Sequence, residues 1–147
     1  MSKIAYLILF SLLSLLGGCF SKTPNAGDVP GQYQLTQKSQ KYLEQQYKLP
    51  LPSDTLITLG SDGSVILINI PDVMISGFGK PNKHFLSGEG TWELDQQGLC
   101  LHITKGELPF AYYASGFLDI CDSRKGFILV STIGDPDTKE TLKFIKK

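Results

Sequence analysis

Two short runs of alternating residue types place cysteines beside acid–base side chains. Cys100 and His102 alternate within LCLHIT, and Asp119 and Cys121 alternate within GFLDICD. If these runs pair as antiparallel strands with the two cysteines opposite each other, the histidine lies opposite the aspartate on the same face. That register allows two kinds of chemistry, a cross-strand disulfide or a Cys-His-Asp nucleophilic site.

The cellular compartment decides between these two interpretations, because an oxidised sulfur is no nucleophile. The N-terminal segment 1–18 is typical of an exported protein. Disulfides persist in exported proteins. We therefore expect a disulfide between Cys100 and Cys121, whose closed loop stabilises the fold by about 3 kcal/mol in the chain-entropy model.

Other residue types that carry chemistry are sparse, and we expect neither a catalytic site nor a metal or cofactor site. His84 and His102 lie on separate segments, and the chain has no closely spaced pair of cysteines or histidines. Glu93 and Asp95 alternate outward on a predicted strand, which is typical of a solvated face. The GDPD segment at 134–137 has the composition of a type I turn, and two aspartates are too few ligands for calcium.

The third cysteine closes an apolar run at the start of the chain. Lys3 precedes the uncharged run 4–16, which is short for a membrane-spanning helix of ~20 residues and typical of an export signal. The order Leu16-Gly17-Gly18-Cys19 resembles the lipobox of bacterial lipoproteins. The resemblance implies cleavage before Cys19 and acylation of its thiol. An uncleaved anchor with an incidental cysteine is the alternative.

The lipobox resemblance also sets the domain organisation and the location. We expect a signal peptide at 1–18, a lipidated flexible tether at 19–30 and one β domain at 31–147. No aspartate stands at the second position after the cut, so in a Gram-negative cell the resemblance implies the outer membrane, with the domain on the periplasmic face. The formal net charge is +0, which argues against nucleic acid as a partner.

The rest of the chain reads as short strands separated by turn sequences. Eight runs have strand composition, and one polar stretch, 36–47, has helix-forming residues with Leu43 and Tyr47 on one face. Asp62-Gly63 is the strongest hairpin signal. We predict an all-β fold: an antiparallel, eight-stranded up-and-down barrel or strongly bent sheet, with one short helix between the first two strands.

Alternation predicts which side chains fill the interior. The set contains aliphatic and aromatic residues from four strands: Trp92, Leu94, Leu99, Leu101, Ile103, Leu118, Ile120, Leu142 and Phe144. We expect Trp92 to be a core anchor at the barrel floor.

Long and tight connections alternate along the chain. The long ones, at 36–53, 71–86 and 105–114, would share one end of a meander, and the tether would lie at the opposite end. Apolar and aromatic residues in these long connections are candidates for binding a ligand or partner. They are Phe78, Phe85, Phe110, Tyr112 and Tyr113. The alternative is that they fold inward and complete a small core.

Several motifs resemble those of a known class of protein. The G-x-Y opening at Gly31 and Tyr33, the strand GTWEL and the closing IGDPDTKETLKF resemble small uncharacterised bacterial lipoproteins with lipocalin-like, calycin-type β-barrels. The resemblance implies the barrel fold and assigns no activity.

These observations together predict a non-catalytic domain held at the membrane by its lipid anchor. The leading hypothesis is that it binds a small apolar molecule or lipid within or at the rim of the barrel. One alternative is a periplasmic inhibitor or immunity lipoprotein that acts on a cell-wall hydrolase or toxin. Another is a structural accessory of an envelope assembly.

Replacing Cys19 with Ser tests the anchor. The hydroxyl cannot accept the diacylglyceryl group as the thiol does, so the precursor should stay uncut and take up no labelled fatty acid. The measurement is gel mobility and labelled palmitate incorporation, with Cys121→Ser as the control that keeps Cys19. Normal processing of the Cys19→Ser protein would contradict the prediction.

Overall fold

A computed structural model describes residues 24–48, 50, 52–74, 85–95, 98–106, 114–123, 126–133, 137 and 140–147. The predicted signal peptide and Cys19 lie outside these residues. Within the described ranges, no helix has the length and apolar character needed to cross a bilayer.

Eight antiparallel strands form a closed barrel in chain order. They are β1 (Gly31–Leu35), β2 (Leu56–Leu59), β3 (Ser64–Pro71), β4 (Phe85–Asp95), β5 (Gly98–Gly106), β6 (Ala114–Ser123), β7 (Gly126–Thr132) and β8 (Thr141–Lys146). One α-helix, α1 (Gln37–Tyr47), lies between β1 and β2, and single 3-10 turns occupy Ala26–Asp28 and Asp72–Met74. The predicted all-β fold with one helix is confirmed, and the sheet is a closed barrel.

The first and last strands close the barrel. β1 pairs with β8 through three residue pairs, Tyr33 with Lys146, Gln34 with Ile145 and Leu35 with Phe144. The Lys147 amide donates to the Gln32 carbonyl at 2.8 Å and extends this seam. Closure leaves no unpaired strand edge in the sheet.

Helix α1 covers one end of the barrel. Its sequence is rich in Gln and Lys, which favour helix, and Thr36 caps it by accepting from the Ser39 amide at 3.3 Å. Leu43 is fully buried, as expected for the apolar face of the helix. The Ser39 hydroxyl accepts from the Lys143 amide at 2.9 Å, so the helix is fastened to the start of β8.

The described inward side chains of the barrel pack together in one core. The buried aliphatic and aromatic residues form one cluster that includes Leu99, Leu101, Ile103, Leu118, Leu142 and Phe144, and Trp92, Leu94 and Ile120 pack against it. The predicted interior set is therefore confirmed. Trp92 donates from Nε1 to the Gly60 carbonyl at 2.8 Å, beside the β2–β3 turn, which confirms it as a core anchor at that end.

The meander separates the two ends of the barrel. The last residues of β1, β3, β5 and β7 lie at one end of the barrel, called here the far end, because successive strands run in opposite directions. The β2–β3 turn and residues 24–30 before β1 lie at the other end, called the tether end. The β2–β3 turn is held by Asp62 Oδ1, which accepts from the Ser64 amide at 2.9 Å and the Ser64 hydroxyl at 2.6 Å.

Tyr33 fastens the segment 24–30 to the barrel. Its hydroxyl donates to the Val29 carbonyl at 2.5 Å, and both residues are fully buried. Lys146 Nζ donates to the Asp28 carbonyl at 2.9 Å on the same segment. Burial raises the pKa of Tyr33 from 10.0 to about 12, because the phenolate is poorly solvated there.

Replacing Tyr33 with Phe should lower the free energy of unfolding by about 1–3 kcal/mol at neutral pH, because the buried Val29 carbonyl loses its donor. In the wild type the unfolded tyrosine loses its proton first, so this contribution to stability falls as the pH rises from about 10 towards 12. The gap between the two proteins should therefore narrow over that range in urea unfolding curves. A gap that stays constant would contradict the raised pKa.

Candidate functional site

The predicted binding residues lie mostly outside the part of the chain that the structure describes. Phe78, Phe110, Tyr112 and Tyr113 fall in its gaps. Phe85 is described: it begins β4 at the far end, is half-buried and pairs with Pro71 of β3. β3 ends, β4 begins and β5 ends at the far end of the barrel, and the rim position of the other four residues stays a prediction.

A cleft of about 450 Å³ opens on the barrel wall beside that end. It is formed by three neighbouring strands, β3, β4 and β5, and its lining residues are Ile66, Leu67, Ile68, Ser87, Gly88, Glu89, Lys105 and Gly106. The strands that border it continue into the segments 75–84 and 107–113. Sequence reasoning did not find this cleft, because alternation assigns Ile66 and Ile68 only to the outer face.

Irregular pairing on both sides of β4 shapes the cleft. The β3–β4 register shifts between Leu67 and Ile70, and Asn69 in this bulge has a left-handed φ of 49°. The Asn69 amide donates to the Ser87 hydroxyl at 3.1 Å, and its side-chain Nδ2 donates to Asp54 Oδ1 at 2.7 Å. A bulge bends and twists a strand locally, so these contacts set the curvature of the wall.

Two glycines allow β4 and β5 to approach closely below the cleft. A Cβ at Gly88 would lie 2.9 Å from Ile103 Cγ2, and a Cβ at Gly106 would lie 2.7 Å from the Ser87 carbonyl oxygen. Both positions therefore require glycine. Because glycine has no side chain, these two positions leave the aliphatic wall of the cleft accessible.

The cleft combines an aliphatic wall with two charged groups. Ile66 is 42% exposed, and it is one of two large apolar side chains that are exposed among the described residues. Glu89 and Lys105 are exposed cross-strand partners on β4 and β5. A volume of this size falls within the range of small-molecule sites, which are mostly apolar with a few polar groups.

A second cluster lies on the outer wall towards the tether end. Glu93 of β4 is the direct partner of Cys100 of β5 in the antiparallel register. His102 Nε2 lies 3.1 Å from Glu93 Oε1 and 3.5 Å from Cys100 Sγ. His102 and Glu93 are exposed, whereas Cys100 is buried.

The predicted pairing of Cys100 with Cys121 is wrong. In the structure Cys100 pairs with Phe117 of β6 and is a free thiol, and Cys121 pairs with Ile128 of β7. No disulfide joins the two cysteines. The observed register pairs Gly116 with Leu101, Ala114 with Ile103 and Leu118 with Leu99. The expected register would have set Ile120 and Leu118 against Leu101 and Ile103 in a narrow barrel.

The same register removes the expected contact between His102 and Asp119. His102 pairs with Ser115, and Asp119 pairs with Val130 of β7. Glu93 is thus the carboxylate that contacts the histidine. The sequence could have indicated this contact, because a two-residue connection between Asp95 and Gly98 places Glu93 opposite Cys100.

The cluster does not have the geometry of a nucleophilic triad. A triad histidine uses one ring nitrogen for the nucleophile and the other for the carboxylate. Here Nε2 of His102 contacts both the thiol and the carboxylate. Burial, with smaller contributions from the charges of Asp95 and Glu93, raises the pKa of the Cys100 thiol, which opposes formation of the nucleophilic thiolate.

Comparisons with protein-family models, with curated proteins and with solved structures give no match to this chain.

The Cys100 thiol should react slowly with iodoacetamide in the native protein. Burial and the raised thiol pKa both reduce attack, so we expect a rate at least about tenfold below that of the same cysteine in urea. Peptide mapping after timed alkylation measures the rate at Cys100. Native alkylation as fast as in urea would contradict the buried position.

Proposed function

We propose that this protein is a lipid-anchored protein of the cell envelope whose barrel binds a small apolar ligand without catalysing a reaction. The anchor rests on the lipobox-like sequence that ends at Cys19. The binding role rests on the cleft of about 450 Å³ on the wall of the barrel.

The buried inward side chains of β1 and β8 support a site on the wall or rim. The inward side chains of β1 and β8, such as Tyr33, Leu142 and Phe144, are fully buried against their neighbours. A ligand at that level of the barrel would have to displace them, and overpacking a core costs about 1–3 kcal/mol. Binding outside the barrel carries no such cost.

The lining of the cleft indicates the chemical class of the ligand. Ile66 and Ile68 supply aliphatic surface, which favours an acyl chain or a similarly apolar group. Glu89 and Lys105 lie on the side of the cleft formed by β4 and β5, and they suit a polar head group at one end of the ligand. An amphipathic molecule with one apolar chain fits this arrangement.

The position of the cleft is consistent with a tethered protein. Its lining residues on β4 and β5, Ser87 to Glu89 and Lys105 to Gly106, lie near the far end of the barrel. A lipid attached to Cys19 would hold the tether end towards the membrane, so the cleft would lie away from the bilayer surface.

A photoactivatable fatty acid tests this function on the full-length protein in lipid nanodiscs. We expect adducts on peptides from β3 and from the far ends of β4 and β5. Ile66→Asp should reduce this labelling about tenfold, because it places a carboxylate in the aliphatic wall. Tyr112→Ala should reduce it as well if the rim contributes.

Ile145→Asp is the matched control. Ile145 is the other exposed large apolar residue, at 48%, and it lies on β8, outside the cleft. This variant should label as the wild type does. Equal labelling of the Ile66→Asp and Ile145→Asp proteins, or adducts confined to other strands, would contradict the proposal. Loss of labelling in both would indicate non-specific surface binding and would also contradict it.

A further inference from the structure

We propose that Glu93, Cys100 and His102 form a binding site for a divalent transition-metal ion of the zinc type on the outer wall of the barrel. The site is independent of the apolar cleft and of the proposed function. It joins β4 to β5 beside the Asp95–Gly98 turn.

The three donor atoms converge on one region of space. The carboxylate oxygen, the thiol sulfur and an imidazole nitrogen all lie within 4.8 Å of one another. Ligand atoms of a tetrahedral zinc ion, at about 2.3 Å for sulfur and 2.0–2.2 Å for nitrogen and oxygen, are separated by about 3.4–3.6 Å. The distances from His102 Nε2, 3.5 Å to Cys100 Sγ and 3.1 Å to Glu93 Oε1, approach this spacing.

The shared nitrogen favours an ion over a hydrogen-bond relay. A neutral imidazole nitrogen carries either a proton or a lone pair, so it cannot donate to Glu93 and accept from Cys100 at once. A cation between the three groups accepts an electron pair from each. An ion in this position would account for both contacts of Nε2.

The charges and donor types match a zinc-type ion. A thiolate and a carboxylate together neutralise a divalent ion, and neutral histidine adds no further charge. Sulfur and imidazole nitrogen are ligands that zinc and similar ions prefer, whereas calcium and magnesium prefer oxygen. The nearby carboxylate of Asp95 adds negative potential at Cys100.

The sheet positions the ligands before the ion binds. Glu93 and Cys100 are direct partners in the β4–β5 ladder, and His102 follows two residues later on the same face. Their backbones therefore need no rearrangement. The side chains of His102 and Glu93 are 47% and 66% exposed, so the ion can enter from solvent and water can fill its fourth position.

Cobalt binding to the full-length, reduced protein in detergent tests the site. Tetrahedral cobalt bound to a thiolate gives visible d–d bands and a charge-transfer band that depends on the sulfur. We expect one cobalt per chain, displaced by zinc. Cys100→Ser should abolish the charge-transfer band, and Glu93→Gln and His102→Gln should each weaken binding about tenfold or more.

The chain offers a matched control for each ligand. Cys121→Ser, His84→Gln and Glu44→Gln remove the same chemical groups at other positions and should leave cobalt binding unchanged. Thermal unfolding without metal should be similar for all six variants, so that lost binding is not lost folding. No thiolate band in the wild type, or a band that persists in Cys100→Ser and is lost in Cys121→Ser, would overturn the proposal.

Discussion

Closure of the sheet between β1 and β8 is the constraint on which the rest of the molecule depends. Eight strands enclose an interior just wide enough for their own side chains. Tyr33 and Phe144 are among the largest fully buried residues, and both lie on the two strands that form the seam. The same closure demands small residues where strands approach, and a Cβ at Gly90 would collide with the His102 carbonyl. Among the described residues, the side chains that could do chemistry therefore lie on the outer wall, away from this packed core.

Alternation then decides what the wall presents. Because Trp92 and Leu94 point inward on β4, Glu93 between them points outward. In the same way, Leu99 and Leu101 point inward on β5, so Cys100 between them faces the outer wall. The apolar pattern that builds the core thus also assembles the carboxylate, thiol and imidazole outside it. The wall cleft arises differently, from the bulge at Asn69, where strict alternation fails.

The strands, the helix and the interior set could be predicted from the sequence because each depends on local composition and on a period of two. The register between β5 and β6 could not be predicted in this way. An error of an even number of residues leaves every side chain on its face, so the pattern of Leu99, Leu101 and Leu118 fits both registers. Polar and cysteine pairs favour the expected register, whereas the observed one pairs Gly116 with Leu101 and Phe117 with Cys100.

The same reasoning explains why the carboxylate of the outer cluster was missed. The alternating residues of β5 and β6 predict Cys121 and Asp119 as partners of Cys100 and His102. Each strand of a closed barrel, however, has two neighbouring strands. The neighbour joined by a two-residue connection has the better-defined register, because a short turn leaves little freedom to slip. In this chain that neighbour is β4, and Glu93 is the residue that the turn places beside Cys100. Tight hairpins are therefore where cross-strand chemistry can be derived from sequence, and long connections are where it needs a structure.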